Sequence, residues 1–331
     1  MQELHAGTRV AVVVCRDAGV ARDRFGAAAG ETGAVYTAVG RRYFAAREAE
    51  EDFLERVRGG LDAGGLWREL GTEWVALEGV MGPGMPLMLE VDPGGRPLPA
   101  LYWGAAAAEL PALAAAEKAL ARPAADNADA AALLARVRAR AAAVCVYEDA
   151  VRRLWLPAYE PGDLRLAPVR VLAGEGAVYA ARDPRWHLER LAASVAAAPH
   201  TLLETEQAVI DLADTSAGAK AQAWWQAAMA RGGRGVFVRP LEWPGQGDGL
   251  IAPAVKCRGD DALMLVHGPE HALAGQREQA RGPGLDEAGA RAAREWALSL
   301  EALERFVGGE PLVRVHPCVF AALGVKLEGR P

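Results

Sequence analysis

Covalent and phosphate chemistry needs amines, carboxylates, imidazoles or thiols at workable spacings, and this chain is sparing with amines. Its only lysines are Lys118, Lys220, Lys256 and Lys326, so residues 1–117 offer no lysine nucleophile. Lys256 stands in Val255-Lys-Cys-Arg258, where it either meets an anion or marks a solvated strand end. His267 and His271 have the spacing that binds zinc from one face of a helix. Gly268-Pro269 between them argues against a helix and no third ligand follows, so no metal site is read. Gly233-Arg-Gly235 and Gly245-Gln-Gly-Asp-Gly249 lack the lysine-serine/threonine ending of a phosphate-binding loop and read as turns. Trp224-Trp225 could stack a base, but a helical pattern over Ala217 to Ala230 assigns them to the core. No serine–histidine–aspartate arrangement is legible. Cys15, Cys145, Cys257 and Cys318 form no CxxC pair, as expected of small buried thiols in a reduced, cytoplasmic chain.

The elements that must position these groups alternate irregularly. The chain has 331 residues, enough for two domains at about 150 each. Its 51% hydrophobic and 24% charged residues exclude a disordered chain. A net charge of −6 excludes a global basic field, though not a local basic groove. No apolar run is long enough to span a membrane and no signal peptide is read. Strands are predicted at Arg9–Cys15, Gly33–Thr37 and Glu73–Glu78, with helices near Ala21–Phe25 and over Glu48–Leu61. Gly82-Pro-Gly-Met-Pro86 breaks regular structure, and short strands are expected through Leu87–Val91. From about Ala105 to Trp155, alanine, leucine and arginine predict two helices, broken near Arg122–Asp126. Strands return at Leu166–Leu172, Gly176–Tyr179, Gln207–Leu212, Gly235–Arg239 and Leu263–Val266. Helices are expected near Arg185–Val195, at Asp286–Phe306 and at Pro311–Leu323. A β-rich core, a helical insertion, a return to β and a helical tail make the class α+β rather than a doubly wound sheet.

Ile251-Ala-Pro-Ala-Val-Lys-Cys-Arg-Gly259 with Leu265-Val-His-Gly-Pro-Glu270 resembles the fifth motif and following strand of the ligase domain of bacterial polynucleotide kinase-phosphatase. Arg9-Val-Ala-Val-Val-Val-Cys-Arg-Asp17, Arg24-Phe-Gly26 and Val35-Tyr-Thr37 resemble its N-terminal strands. Leu166-Ala-Pro168 with Leu172–Val178 resembles the segment carrying its ribonucleotide-contacting strand, and Glu301–Val307 with Arg314-Val-His316 its C-terminal module. The resemblance covers essentially the whole chain. It implies a covalent nucleotidyltransferase core of antiparallel sheets over residues 1–104 and 160–271. An inserted helical module would occupy 105–159 and a C-terminal helical module 272–331. It also implies a family domain that starts some way upstream of Leu4, which leaves open whether the chain is a fragment or a shortened reading of a longer polypeptide.

In that family a lysine attacks the α-phosphorus of ATP, carboxylates hold Mg2+ or Mn2+ against the phosphates, and cations neutralise the charge that develops. This sequence departs from the pattern. The nucleophile's position, in Leu4-His-Ala-Gly-Thr-Arg9, is Leu4. In Trp74-Val-Ala-Leu-Glu-Gly-Val80, Val80 replaces a second acidic residue, and Arg234 replaces another carboxylate. Family arginines fall on Ala38 and Met264. The retained polar groups are Arg9, Glu78, Arg239, Lys256 and Arg258, expected to contact nucleotide or phosphate; Glu78 falls on a family aspartate. Arg9, Arg234, Arg239, Lys256 and Arg258 are expected to share one cleft, with a collapsed apolar cleft around Leu4 and Val80 as the rival. The expected function is that of a catalytically degenerate ligase-like domain, a scaffold or RNA-end-binding component of an RNA repair system with no cofactor of its own. The alternative is an active ATP-dependent RNA ligase or adenylyltransferase. Partners implied by the resemblance are RNA ends, the kinase and phosphatase domains, an RNA methyltransferase, a separate active ligase, or a second copy of the chain.

Overall fold

The computed structural model describes residues 1–38, 40–82, 98–154, 163–241, 254–273 and 285–327. Its centre is a five-stranded antiparallel sheet in the order β3-β2-β4-β5-β6: β2 Thr8–Cys15, β3 Gly33–Thr37, β4 Trp74–Gly82, β5 Arg165–Gly174 and β6 Ala177–Val178. A smaller sheet, β1-β7-β8, joins β1 Gln2–Glu3, β7 Gly235–Val238 and β8 Val255–Arg258, also antiparallel. Only four residues separate β1 from β2 along the chain, so the two sheets are tied together beside Leu4.

The strand period of two sorts the large sheet's faces. Val10, Val12 and Val14 are buried on one face with Val35, Val75, Leu77, Met81, Leu166 and Val171. Helix α2 (Arg47–Ala63) brings Phe53, Leu54, Val57 and Leu61 against them at helical spacing, and α6 (Pro184–Ala197) adds Leu191. Each such side chain contributes roughly 1.5–3 kcal/mol of burial. The opposite face carries Cys15, Trp74, Ala76 and Ala173. It is covered by α1 (Ala18–Phe25) and by α9 (Leu285–Val307), through Ala21, Phe25, Leu303, Phe306 and Val307. Phe25 meets Trp74 edge-on at 5.1 Å and stacks on Phe306 at 6.1 Å. Helix α1 is held at its start by Asp17, whose carboxylate accepts from the Val20 N–H, and stops at Gly26, φ +65°.

The alanine-rich block forms α4 (Leu98–Leu120) and α5 (Ala128–Leu154), separated by a short turn at Pro123–Ala125. Arg140 joins them by donating twice to Glu109, and also reaches Glu270 at 2.6 Å. Val144, Tyr147, Ala150 and Val151 of α5 pack against Ala262, Met264 and Leu265 of α8 (Asp260–His267). Helix α3 (Leu66–Leu70), α7 (Ala217–Ala230) and α10 (Leu312–Leu327, with Pro317 inside) complete the described α-helices.

Four expectations are corrected. Leu263–Val266 lies inside helix α8 rather than a strand. Four apolar residues fit either state, and Asp260-Asp261 in the first turn complements the helix dipole. Gln207–Leu212 is not a strand: Gln207 bridges Gln2, and Leu212 is 88% exposed. Trp224 and Trp225 are half-buried on α7 rather than in the core. Of the four free cysteines only Cys15 is buried. His267 and His271 do not share a helix, because α8 ends at Gly268, φ +79°. The expected break at 83–86, the strands at 87–91, the turn at 245–249 and residues 251–253 lie outside the described residues. No helix among the described residues is long and apolar enough to cross a membrane.

Candidate functional site

Outward positions on adjacent strands bring the charged groups together. Glu78 on β4 is directly opposite Arg170 on β5, and Arg9 on β2 is opposite Val80, two residues along the same face. The β4–β5 register shifts on either side of the Leu77–Glu78 step, a local irregularity of the kind that re-aims side chains. Arg9 Nε donates to Glu78 Oε1 at 2.6 Å, and Arg170 Nη1 lies 3.7 Å from Glu78 Oε2. The Glu78 side chain is 15% exposed, Arg170 13% and Arg9 60%, so the arginine stem of β2 forms the rim. Burial of the Glu78 carboxyl opposes its ionisation, but Arg9, Arg170 and Arg239 outweigh that and hold it down at about 2. Glu78 in turn raises Arg9, while burial lowers Arg170.

Arg239 approaches from the end of β7. Its guanidinium lies 5.3 Å from the Phe237 ring centre, and Lys256 Nζ lies 5.2 Å from the same ring. Phe237 and Lys256 are cross-strand partners on β7 and β8. Burial, then the nearby Arg170, pulls Arg239 down to about 10. Three guanidinium groups therefore surround Glu78, with the Glu295 carboxylate acting as a further, weaker influence on Arg9. Such a cluster repels a divalent cation and attracts an anion, so the residues present fit a phosphate group better than a metal ion.

The remaining sequence candidates are placed around this cluster. Leu4 follows β1, is half-buried, and donates its N–H to the Gly235 carbonyl at 3.0 Å. Beside it His5 Nε2 is 2.8 Å from Thr205 Oγ1. Gly7, φ +142°, turns the chain into β2 so close to the Met81 carbonyl that a Cβ would collide with it. Val80 is half-buried on the same sheet face as Glu78. Arg234 is buried immediately before β7 and makes no ion pair with a described residue; burial alone pulls it down to about 10. Arg258 is opposite Gly235 and makes no ion pair with the described cluster. The structure thus gathers Arg9, Glu78 and Arg239, with Lys256 joined through Phe237, while Arg234 and Arg258 are not drawn into that ion-pair network.

Arg170 was not singled out from the sequence. The available signal was a lone arginine in the otherwise apolar Leu166-Ala-Pro-Val-Arg-Val-Leu-Ala173. Trp296 of α9, also missed, lies with its ring centre 4.7 Å from the Arg170 guanidinium. A cleft of about 20 Å3 opens beside this pair, lined by Arg170, Arg182, Arg239 and Trp296 among others. A larger cavity, about 420 Å3, lies between Ala38, α9 and α10. Its walls are mainly Ala302, Leu303, Phe306, Val315 and Val319, with Glu295 its one charged group among the described residues, so it has no cationic chemistry of its own.

The family profile of the PNKP adenylyltransferase domain, ligase domain, matches residues 1–329. The chain belongs to this family. A solved structure described as "Structure of Pnkp1/Rnl/Hen1 complex" contains a similar chain, with a TM-score of 0.64 and 12% identity over 98% of this chain and 83% of that one. At that identity the likeness establishes the fold, a nucleotidyltransferase-like arrangement of antiparallel sheets and helices. No protein of curated function matches. Leu4 lies in the turn that joins the two sheets.

Proposed function

We propose that this PNKP ligase-family domain no longer forms a lysine–AMP intermediate and instead holds nucleic-acid ends as a component of an RNA repair assembly. The observation that carries the reading is Glu78. The carboxylate that would serve a metal is engaged by Arg9 at 2.6 Å and flanked by Arg170 and Arg239. Leu4 adds a second, independent support, because a leucine has no nucleophilic atom and no lysine precedes Lys118. The retained Arg9, Arg239 and Lys256 supply the cationic side of a phosphate contact without the metal. The complex that contains the similar fold supports a role among several repair proteins rather than alone.

The test uses a nicked RNA duplex with a 5′-phosphate at the nick, ATP, and Mg2+ or Mn2+. The expected result is no sealing, together with retention of 5′-phosphorylated RNA in EDTA that weakens as salt rises. Sealing by the purified chain overturns the reading.

A further inference from the structure

The corner where β5, β7 and α9 meet gathers the arginines Arg9, Arg170, Arg182 and Arg239 around the carboxylates of Glu78 and Glu295, the latter acting on Arg9. Arg170 and Arg239 line the small cleft there, Arg182 lines it from the turn before α6, and Trp296 closes it from α9. The Arg239 Nε is buried with no hydrogen-bond partner among the described residues. Arg170 shares Glu78 with Arg9, which holds that carboxylate more closely, at 2.6 Å against 3.7 Å. Asp183, beside the same turn, is committed to Arg185, accepting from its backbone N–H at 2.7 Å and its Nη2 at 2.8 Å. His187 is fully buried behind β5, where its Nδ1 accepts from the Val171 N–H at 3.2 Å, and burial pushes it down to about 4. It is neutral at pH 7 and adds no positive charge of its own. Buried cationic surface without a counter-charge is costly, and an incoming anion relieves that cost.

We propose that Arg170, Arg182 and Arg239 form a metal-independent pocket for a phosphomonoester, and that Trp296 of α9 is its lid. The proposal rests on the reading of the domain as an RNA-end binder and names what it holds, the terminal phosphate. Guanidinium forks match phosphate oxygens in pairs, and the partly dry corner strengthens each contact. The cleft of about 20 Å3 has room for roughly one water. A phosphate enters when Trp296 leaves the face of Arg170, exchanging a cation–π contact for an ion pair. Phosphate binding is thereby coupled to loosening of α9.

The chemistry would serve an RNA 5′-phosphate or a free mononucleotide, and the experiment separates them. The full chain is titrated in EDTA with a 5′-phosphorylated oligoribonucleotide, its 5′-hydroxyl twin, AMP and adenosine. The phosphorylated member of each pair should bind about tenfold or more tightly, the size of a lost charge-assisted contact. Arg182→Gln, a change at an exposed side chain, should remove that preference without altering the fold, and Arg239→Gln should do the same. Trp296→Ala should tighten phosphate binding, and hydrogen exchange over 287–307 should rise when phosphate is added. A preference for AMP over adenosine with none for the phosphorylated RNA keeps the pocket, assigns it a mononucleotide, and overturns the RNA-end reading instead. No phosphate preference in either pair, a preference that needs magnesium, one unchanged in Arg182→Gln, or weaker binding by Trp296→Ala overturns the proposal.

Discussion

On one face of the five-stranded sheet, Val10, Val12 and Val14 pack against α2 and α6; on the other, Arg9, Glu78 and Arg170 lie beside α9. The same three strands supply both faces. The apolar face is held by burial, which is non-directional and tolerant of neighbours of similar volume. The charged face is held by directed contacts around one carboxylate, where removing one partner strands the others. The first face specifies a fold. The second keeps a cationic corner that folding alone does not need, and on that difference we propose it as the functional side.

The largest expected effect is on the apolar face. Phe53→Ala should cost about 3–5 kcal/mol in urea unfolding, since Phe53 is fully buried between α2 and the sheet. A loss below about 1 kcal/mol would show that α2 can collapse into the gap. On the charged face Glu78→Gln should cost about 3 kcal/mol at pH 7, by leaving Arg170 and Arg239 uncompensated. The Glu78 carboxyl is depressed from 4.5 to about 2. Its contribution is therefore complete above the unfolded value and is lost as pH falls from about 4.5 through 2. A stability–pH curve for Glu78→Gln that keeps the wild-type slope in that window would separate Glu78 from the arginines.

His187 gives a smaller effect in a different window. Its folded value, about 4, lies below the unfolded 6.5, so the unfolded chain takes up the proton first. Stability should fall by about 2 kcal/mol as pH drops from 6.5 to 4, and His187→Gln should flatten that slope; an unchanged slope would place the titration elsewhere. The smallest effect belongs to the rim: Arg9→Ala should cost less than about 1 kcal/mol, because the Arg9 side chain is 60% exposed. A larger loss would mean that the Arg9–Glu78 contact is worth more than its exposure at the rim allows.

The apolar face was legible in the sequence and the charged corner only in part. Val10, Val12 and Val14 announce their strand by alternation, and Phe53, Leu54, Val57 and Leu61 announce their helix by spacing, because each pattern lies within one element. Leu263–Val266 misled because four apolar residues carry no period of their own. Arg9, Glu78 and Arg239 were found through the motifs around them. Arg170, Arg182 and Trp296 were not, since what joins them is a strand register and a helix that returns from over a hundred residues away. Arg234 was placed with the cluster from the sequence, yet it is buried before β7 outside that ion-pair network.

The central claim, that the domain keeps the family's fold and has lost its covalent chemistry, meets its most direct test in α-labelled ATP. The purified chain is incubated with the label and Mg2+ or Mn2+, then run on a denaturing gel. On the proposed assignment of Leu4 to the nucleophile position, the lane should show no labelled protein. A band that survives denaturation, and disappears when Lys256 or another lysine is replaced, would contradict it.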